Sequence, residues 1–178
     1  MKKIVLALLA LIFLVNIFSA CGKTPVIEIE NETFGDISIT PTKGDTVIYP
    51  EDTDKLDVRG MNHINTPGAL VRNEKFHLVL GYSWYKNETR DTYEKKKQLR
   101  SLINEEEVTF GDLTGYTYTE SGVHFMFFPA KTKDAARVVA IYSEETIGVA
   151  EGSRMSNEAA RELAKTEEVQ KILKTLKF

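Results

Sequence analysis

The sequence predicts an α+β fold, in which an antiparallel β-sheet is flanked by helices and a C-terminal amphipathic helix packs on the sheet. Three observations support this fold class. Short segments with an apolar residue at every second position are separated by turn residues, which is typical of antiparallel strands. A helical pattern interrupts them in the middle of the chain, and a second helical pattern closes it. The length of 178 residues is sufficient for one domain.

The strands follow one another with recognisable turns between them. Pro41–Asp45 separates the first two, and Asn73-Glu74 separates the two strands of a hairpin. Ser121-Gly122 and Lys131–Asp134 separate the three strands of a C-terminal meander. The predicted strands span residues 36–40, 46–49, 69–72, 75–85, 114–120, 123–129 and 136–143.

The strand over 75–85 has the clearest alternation in the chain. We assign one of its faces to the core, and we expect the opposite face to be at least partly covered as well, because it also carries apolar residues. The assigned core face consists of Phe76, Leu78, Leu80, Tyr82 and Trp84.

Two helices are predicted from apolar residues at helical spacing. The first spans Thr92–Asn104 and has a lysine-rich outer face. The closing helix begins at Asn157, after Ser156 as the N-cap. Its apolar stripe, which includes Leu163, Ile172, Leu173 and Leu176, is expected to dock on the sheet.

The first residues have the layout of an export signal. Lys2 and Lys3 are followed by an apolar run over Ile4–Val15, which is shorter than the roughly 20 residues that a membrane-spanning helix needs. Ser19-Ala20 then precedes Cys21, the single cysteine of the chain. This arrangement resembles a bacterial lipoprotein signal, which implies that Cys21 is lipidated and becomes the new N-terminus. The alternative is an ordinary signal peptide that is cut elsewhere and leaves an unpaired thiol.

These patterns predict three segments and a location. Residues 1–20 are the signal peptide, 21–35 are the lipidated cysteine with a polar tether, and 36–178 are a single domain. The lipoprotein resemblance implies a cell-membrane protein that is held through lipid on Cys21 at the extracytoplasmic face.

A second resemblance concerns the domain itself. Val108-Thr109-Phe110-Gly111 leads through Gly115-Tyr116 into the three-strand meander and the closing helix. This order is similar to the PsbP-like fold over about residues 36–178, and it implies binding and assembly subunits more often than enzymes.

Composition excludes several classes of function. A net charge of −3 and an isoelectric point near 5.7 give no reason to expect nucleic-acid binding. A single cysteine excludes intramolecular disulfides and multi-cysteine metal sites. The sequence has neither a glycine-rich phosphate loop nor a Gly-x-Ser-x-Gly nucleophile motif. We expect neither a cofactor nor a resident metal.

The three histidines are the first candidates for chemistry. His77 and His124 lie on separate predicted strands and could meet across the sheet as zinc ligands, with a carboxylate completing the site. The simpler interpretation is that they are two half-buried strand histidines. His63 lies in the loop over 51–68, and it could change its charge near neutral pH.

That loop and two tyrosines are the candidate binding residues. Asp52, Asp54 and Asp57 could offer oxygen ligands to calcium, but their spacing is not that of an EF-hand, and a solvated acidic loop fits better. Long polar loops often contact ligands, so these residues and His63 are candidates for binding. Tyr85 and Tyr118 are candidate aromatic contacts for a sugar or peptide.

The sequence favours a non-enzymatic binding or assembly module, with the membrane and either an envelope protein or a cell-wall ligand as partners. One alternative is an extracytoplasmic hydrolase whose site forms only in three dimensions, from His63 or His77 with Asp52, Asp57 or Ser83. Another is an immunity or exclusion lipoprotein that blocks a foreign protein at the envelope.

Overall fold

The computed structural model describes residues 25–49, 64–84, 106–143 and 155–178. The helix predicted over Thr92–Asn104 lies outside these ranges. The described strands are β1 (Ile27–Ile29), β2 (Ile37–Ile39), β3 (Thr46–Ile48), β4 (Thr66–Arg72), β5 (His77–Trp84), β6 (Glu107–Phe110), β7 (Leu113–Glu120), β8 (Val123–Pro129) and β9 (Ala135–Tyr142), and the helices are α1 (Asn157–Lys165) and α2 (Glu167–Leu173).

Seven of these strands form one antiparallel sheet in the order β3-β4-β5-β9-β8-β7-β6, and β1 pairs with β2 in a second, two-stranded sheet. The predicted α+β class is confirmed. The hairpin of β4 and β5 and the meander of β7, β8 and β9 are also present, because long alternating strands joined by short turns pair with their chain neighbours.

One face of the large sheet, here called the helix face, is covered by both helices and by the β1–β2 pair. Apolar residues of β4, β5, β8 and β9 on this face share one core cluster with the apolar stripe of the helices. Ile172 and Leu173 of α2 are completely buried in that cluster, as the sequence predicts. Burial of this stripe is what holds two short helices on the sheet.

The opposite face of the sheet is buried too along its central strands. Val79, Val138 and Ala140 are fully inaccessible there, and His77 and Ser83 of β5 are each 2% exposed. The expectation that the second face of β5 is covered is therefore confirmed.

The closing helix differs from its prediction at one point. Ser156 caps α1 by accepting a hydrogen bond from the Ala159 amide at 3.1 Å, as expected. The chain then leaves helical geometry at Thr166, where ψ is 150°, so that two helices replace the single one. The Thr166 hydroxyl donates to the Leu163 carbonyl oxygen at 2.7 Å, which satisfies one of the carbonyls at the end of α1.

The polar tether predicted over 21–35 is too long. Ile27 in β1 is 1% exposed, and it pairs with Ile39 of β2 inside the main core cluster. Residues 27–35 therefore belong to the fold. The strand is not recognisable from sequence because it has only three residues, with Glu28 at its centre and Glu30 directly after it, so its alternation is too short to stand out.

Candidate functional site

The structure places one of the residues predicted to bind a ligand, Tyr118. It lies on β7 opposite Phe125 of β8, and their rings stack at 6.3 Å with an interplanar angle of 24°. Tyr118 is half-buried at the end of a row of rings whose other members, Tyr116, Phe125 and Phe127, are buried. This row can offer a ligand part of one ring and not a broad stacking platform. The other predicted binding residues and the predicted lipidation site lie outside the described ranges: Asp52, Asp54, Asp57, His63, Tyr85 and Cys21.

The two strand histidines do not meet. His77 lies opposite Tyr142, and His124 lies opposite Ile141. Because successive side chains of a strand point to opposite faces, these two pairs lie on opposite faces of the sheet. The zinc site that would join the two histidines is therefore wrong. Within the described ranges, no three histidine, cysteine or acidic residues lie close enough together to hold a metal ion.

His124 has an unusual electrostatic environment. It is 9% exposed on the helix face, and its Nδ1 atom lies 2.8 Å from the Thr119 hydroxyl. Burial, together with the positive charges of Arg161 and Lys165 on α1, lowers its pKa from 6.5 to about 4. The imidazole is thus neutral at physiological pH.

A polar cleft of about 720 Å³ lies where two turns of the sheet approach α2. One wall is the turn before β3, the second is the β4–β5 turn, and the third is the first turn of α2. The lining residues are Lys43, Gly44, Asp45, Thr46, Arg72, Asn73, Glu74, Lys75 and Glu168.

Asp45 joins the two turns that form the cleft. One of its carboxylate oxygens accepts hydrogen bonds from the Thr42 amide at 2.7 Å and the Thr42 hydroxyl at 2.6 Å. The other accepts from the Asn73 side-chain amide at 2.8 Å. The turn from Thr42 to Asp45 contains Gly44, whose φ of +103° is unfavourable for residues with a Cβ atom. These bonds keep the two walls in place without a ligand.

An ion pair joins two walls of the cleft, the β4–β5 turn and the first turn of α2. The Lys75 ammonium donates to the Glu168 carboxylate at 2.6 Å, and both side chains are more than half exposed. This hydrogen bond raises the pKa of Lys75 and lowers that of Glu168. Water screens such an exposed pair, so it contributes little stability and can open for a ligand at little cost.

The lining determines what this cleft can do chemically. It carries three cationic side chains and three carboxylates, and among its described members the only side-chain hydroxyl is that of Thr46. Such a surface forms ion pairs and hydrogen bonds with a polar ligand, and its balanced charge suits a ligand that carries both signs. Sequence reasoning assigned Pro41–Asp45 and Asn73-Glu74 to turns and did not connect them with Glu168.

Other findings bear on identity. None of the helices within the described ranges is both long enough and apolar enough to cross a membrane. No protein-family model, curated protein or solved structure matches this chain. The resemblance of the domain to the PsbP-like fold therefore stays a prediction.

Proposed function

We propose that this protein is a lipid-anchored binding or assembly module on the extracytoplasmic face of the cell membrane, and that the charged cleft is its ligand site. The anchor is supported by the leader, in which Lys2 and Lys3, a short apolar run and Ser19-Ala20 precede Cys21. The observation that carries the binding function is the cleft itself.

The construction of the cleft favours binding. Because the Asp45 bonds connect its two turns before any ligand arrives, little ordering free energy has to be spent on binding. The Lys75 ammonium can donate to an anionic group of a ligand, and the Glu168 carboxylate can accept from a cationic group. Each of these contacts would replace the bond between the two side chains. From this lining we expect the ligand to be either a small polar molecule or a polar segment of an envelope protein or cell-wall polymer.

The anchor is tested by Cys21→Ser in the full-length chain. Cells that express each form are given a labelled fatty acid and then fractionated. The parent should incorporate the label and sediment with membranes, whereas the variant should lose both properties because serine provides no thiol for the lipid. Equal membrane retention and equal processing of both forms would contradict lipidation.

The cleft is tested by reversing one charge in its lining. Lys75→Glu places two carboxylates side by side and should reduce the capture of envelope components by the anchored protein after cross-linking. Lys133→Glu is the matched control, because Lys133 is an exposed residue of the β8–β9 turn outside the cleft lining. Equal capture by both variants and the parent would show that the cleft is not the binding site.

A further inference from the structure

The start of the described fold lies close to the cleft. β1 and β2 pair with Ile27 opposite Ile39, and the same register continued by one residue places Val26 opposite Thr40. Opposite residues of antiparallel strands are about 5 Å apart. Thr40 is followed three residues later by Lys43 on the cleft rim. The point where the chain enters the fold and the charged cleft therefore share one side of the molecule.

The distance from the anchor to this side is limited by chain length. On the proposed function, on which this inference rests, Cys21 is held at the bilayer surface. Val26 follows it by five residues, and a chain spans at most about 3.6 Å per residue, so Val26 lies within about 18 Å of Cys21 in any conformation. A tether that reached residue 36 would have allowed about 54 Å. The correction of the tether thus brings the domain close to the membrane.

Exposed apolar side chains lie on the same side. Among the described residues, Val26 and Tyr49 are the large hydrophobic side chains that are exposed, at 53% and 45%. Tyr49 directly follows β3, which is an edge strand of the large sheet. β1 packs on the adjacent strand β4, where Ile29 lies against Gly68. Tyrosine is enriched where proteins meet the headgroup layer of a bilayer, because its ring is apolar and its hydroxyl polar.

We propose that the β3 side of the domain, defined by Val26, Lys43 and Tyr49, faces the bilayer and contacts its headgroup layer. Both exposed hydrophobic side chains then lose water at the interface, and the basic Lys43 lies next to lipid phosphates. The charged cleft opens beside the membrane, so its ligand is met at the membrane surface and not in the surrounding medium.

The orientation can be measured by energy transfer to lipids. Cys21 is the only cysteine and its sulfur is lipidated in the proposed protein, so an engineered cysteine is the sole free thiol. Lys43→Cys and Asp112→Cys, both at exposed positions, are labelled with a donor dye. The processed lipoprotein is placed in vesicles of phosphatidylethanolamine and phosphatidylglycerol that contain an acceptor lipid. Asp112 lies in the β6–β7 turn at the opposite edge, and six strand spacings of about 4.8 Å separate the edges by about 29 Å.

Transfer should be several-fold stronger from the label at Lys43 than from the label at Asp112. Adding Val26→Ser and Tyr49→Ser should reduce transfer from Lys43→Cys while lipid incorporation stays unchanged. Equal transfer from both positions in lipid-labelled protein would overturn the orientation and leave the anchor intact. A parent protein that incorporates no fatty acid would overturn the anchor, and the orientation with it.

Discussion

Mild acid should destabilise this fold through His124. In the folded protein its pKa is about 4, because burial and the nearby Arg161 and Lys165 disfavour the charged imidazole. In the unfolded chain the pKa returns to about 6.5. Above pH 6.5 neither state binds the proton, and the contribution to stability is fully present. As the pH falls toward 4, the unfolded state binds a proton that the folded state does not bind, so the free energy of unfolding decreases.

The size of this loss follows from the two pKa values. A pKa difference of one unit between the folded and unfolded states corresponds to about 1.4 kcal/mol. The difference between 6.5 and about 4 therefore corresponds to about 3 kcal/mol once the pH is well below both values. For a domain of this size that is a substantial fraction of the total free energy of unfolding, which is typically 5–15 kcal/mol.

The assay is urea unfolding of the parent and of His124→Gln at about pH 7, 5.5 and 4.5. Glutamine is neutral throughout, and His63 and His77 remain in both proteins, so the difference between the two curves isolates His124. Because pH 4.5 is still above the folded pKa, the parent should lose about 2 kcal/mol more than the variant across this range, and the rest only below pH 4. Parallel losses in the two proteins would refute the assignment of a buried, neutral imidazole.

Three further predictions concern packing and binding. Leu173→Ala should cost about 2–5 kcal/mol, because Leu173 is fully buried between α2 and the sheet, and an unchanged melting temperature would contradict that docking. Gly115→Ala should lower the free energy of unfolding, measured in urea, by about 1–3 kcal/mol, because a Cβ atom there would collide with the Phe127 carbonyl oxygen. Replacing residues 52–62 with a Gly-Ser link should preserve the fold and reduce the capture of envelope components, because it removes the candidate binding residues Asp52, Asp54 and Asp57. Full capture by this variant would exclude these residues from the binding site.

The long strands of the large sheet show where sequence reasoning works well. The prediction of 123–129 coincides with β8, and the predicted core face of β5 is the buried helix face. Both strands are seven or eight residues long, and a short turn precedes each of them. Over that length, an apolar run next to a turn is a strong strand signal, and it fits the burial of both faces of these strands.

Short elements were harder to predict. The three residues of β1 are too few for alternation to be recognised, and their strand geometry depends on β2, to which they pair. The division at Thr166 has a local signal, since Glu167 and Glu168 follow it as acidic residues of a new first turn. The helical spacing of apolar residues across the division concealed it.

The sequence by itself determined the fold class and the buried faces of the long strands, because both follow from periodicities that neighbouring residues share. Only the tertiary structure decided the cleft and the electrostatics. Asp45, Asn73 and Glu168 come from three distant segments, and their distances depend on how the sheet and α2 pack. Arg137 is a further case: it lies 8% exposed within apolar β9, donates to the Pro129 carbonyl oxygen at 2.9 Å and sits over the Phe178 ring. The burial of a side chain, and therefore its pKa, depends on contacts between residues far apart in the chain. The sequence of neighbouring residues does not specify these contacts.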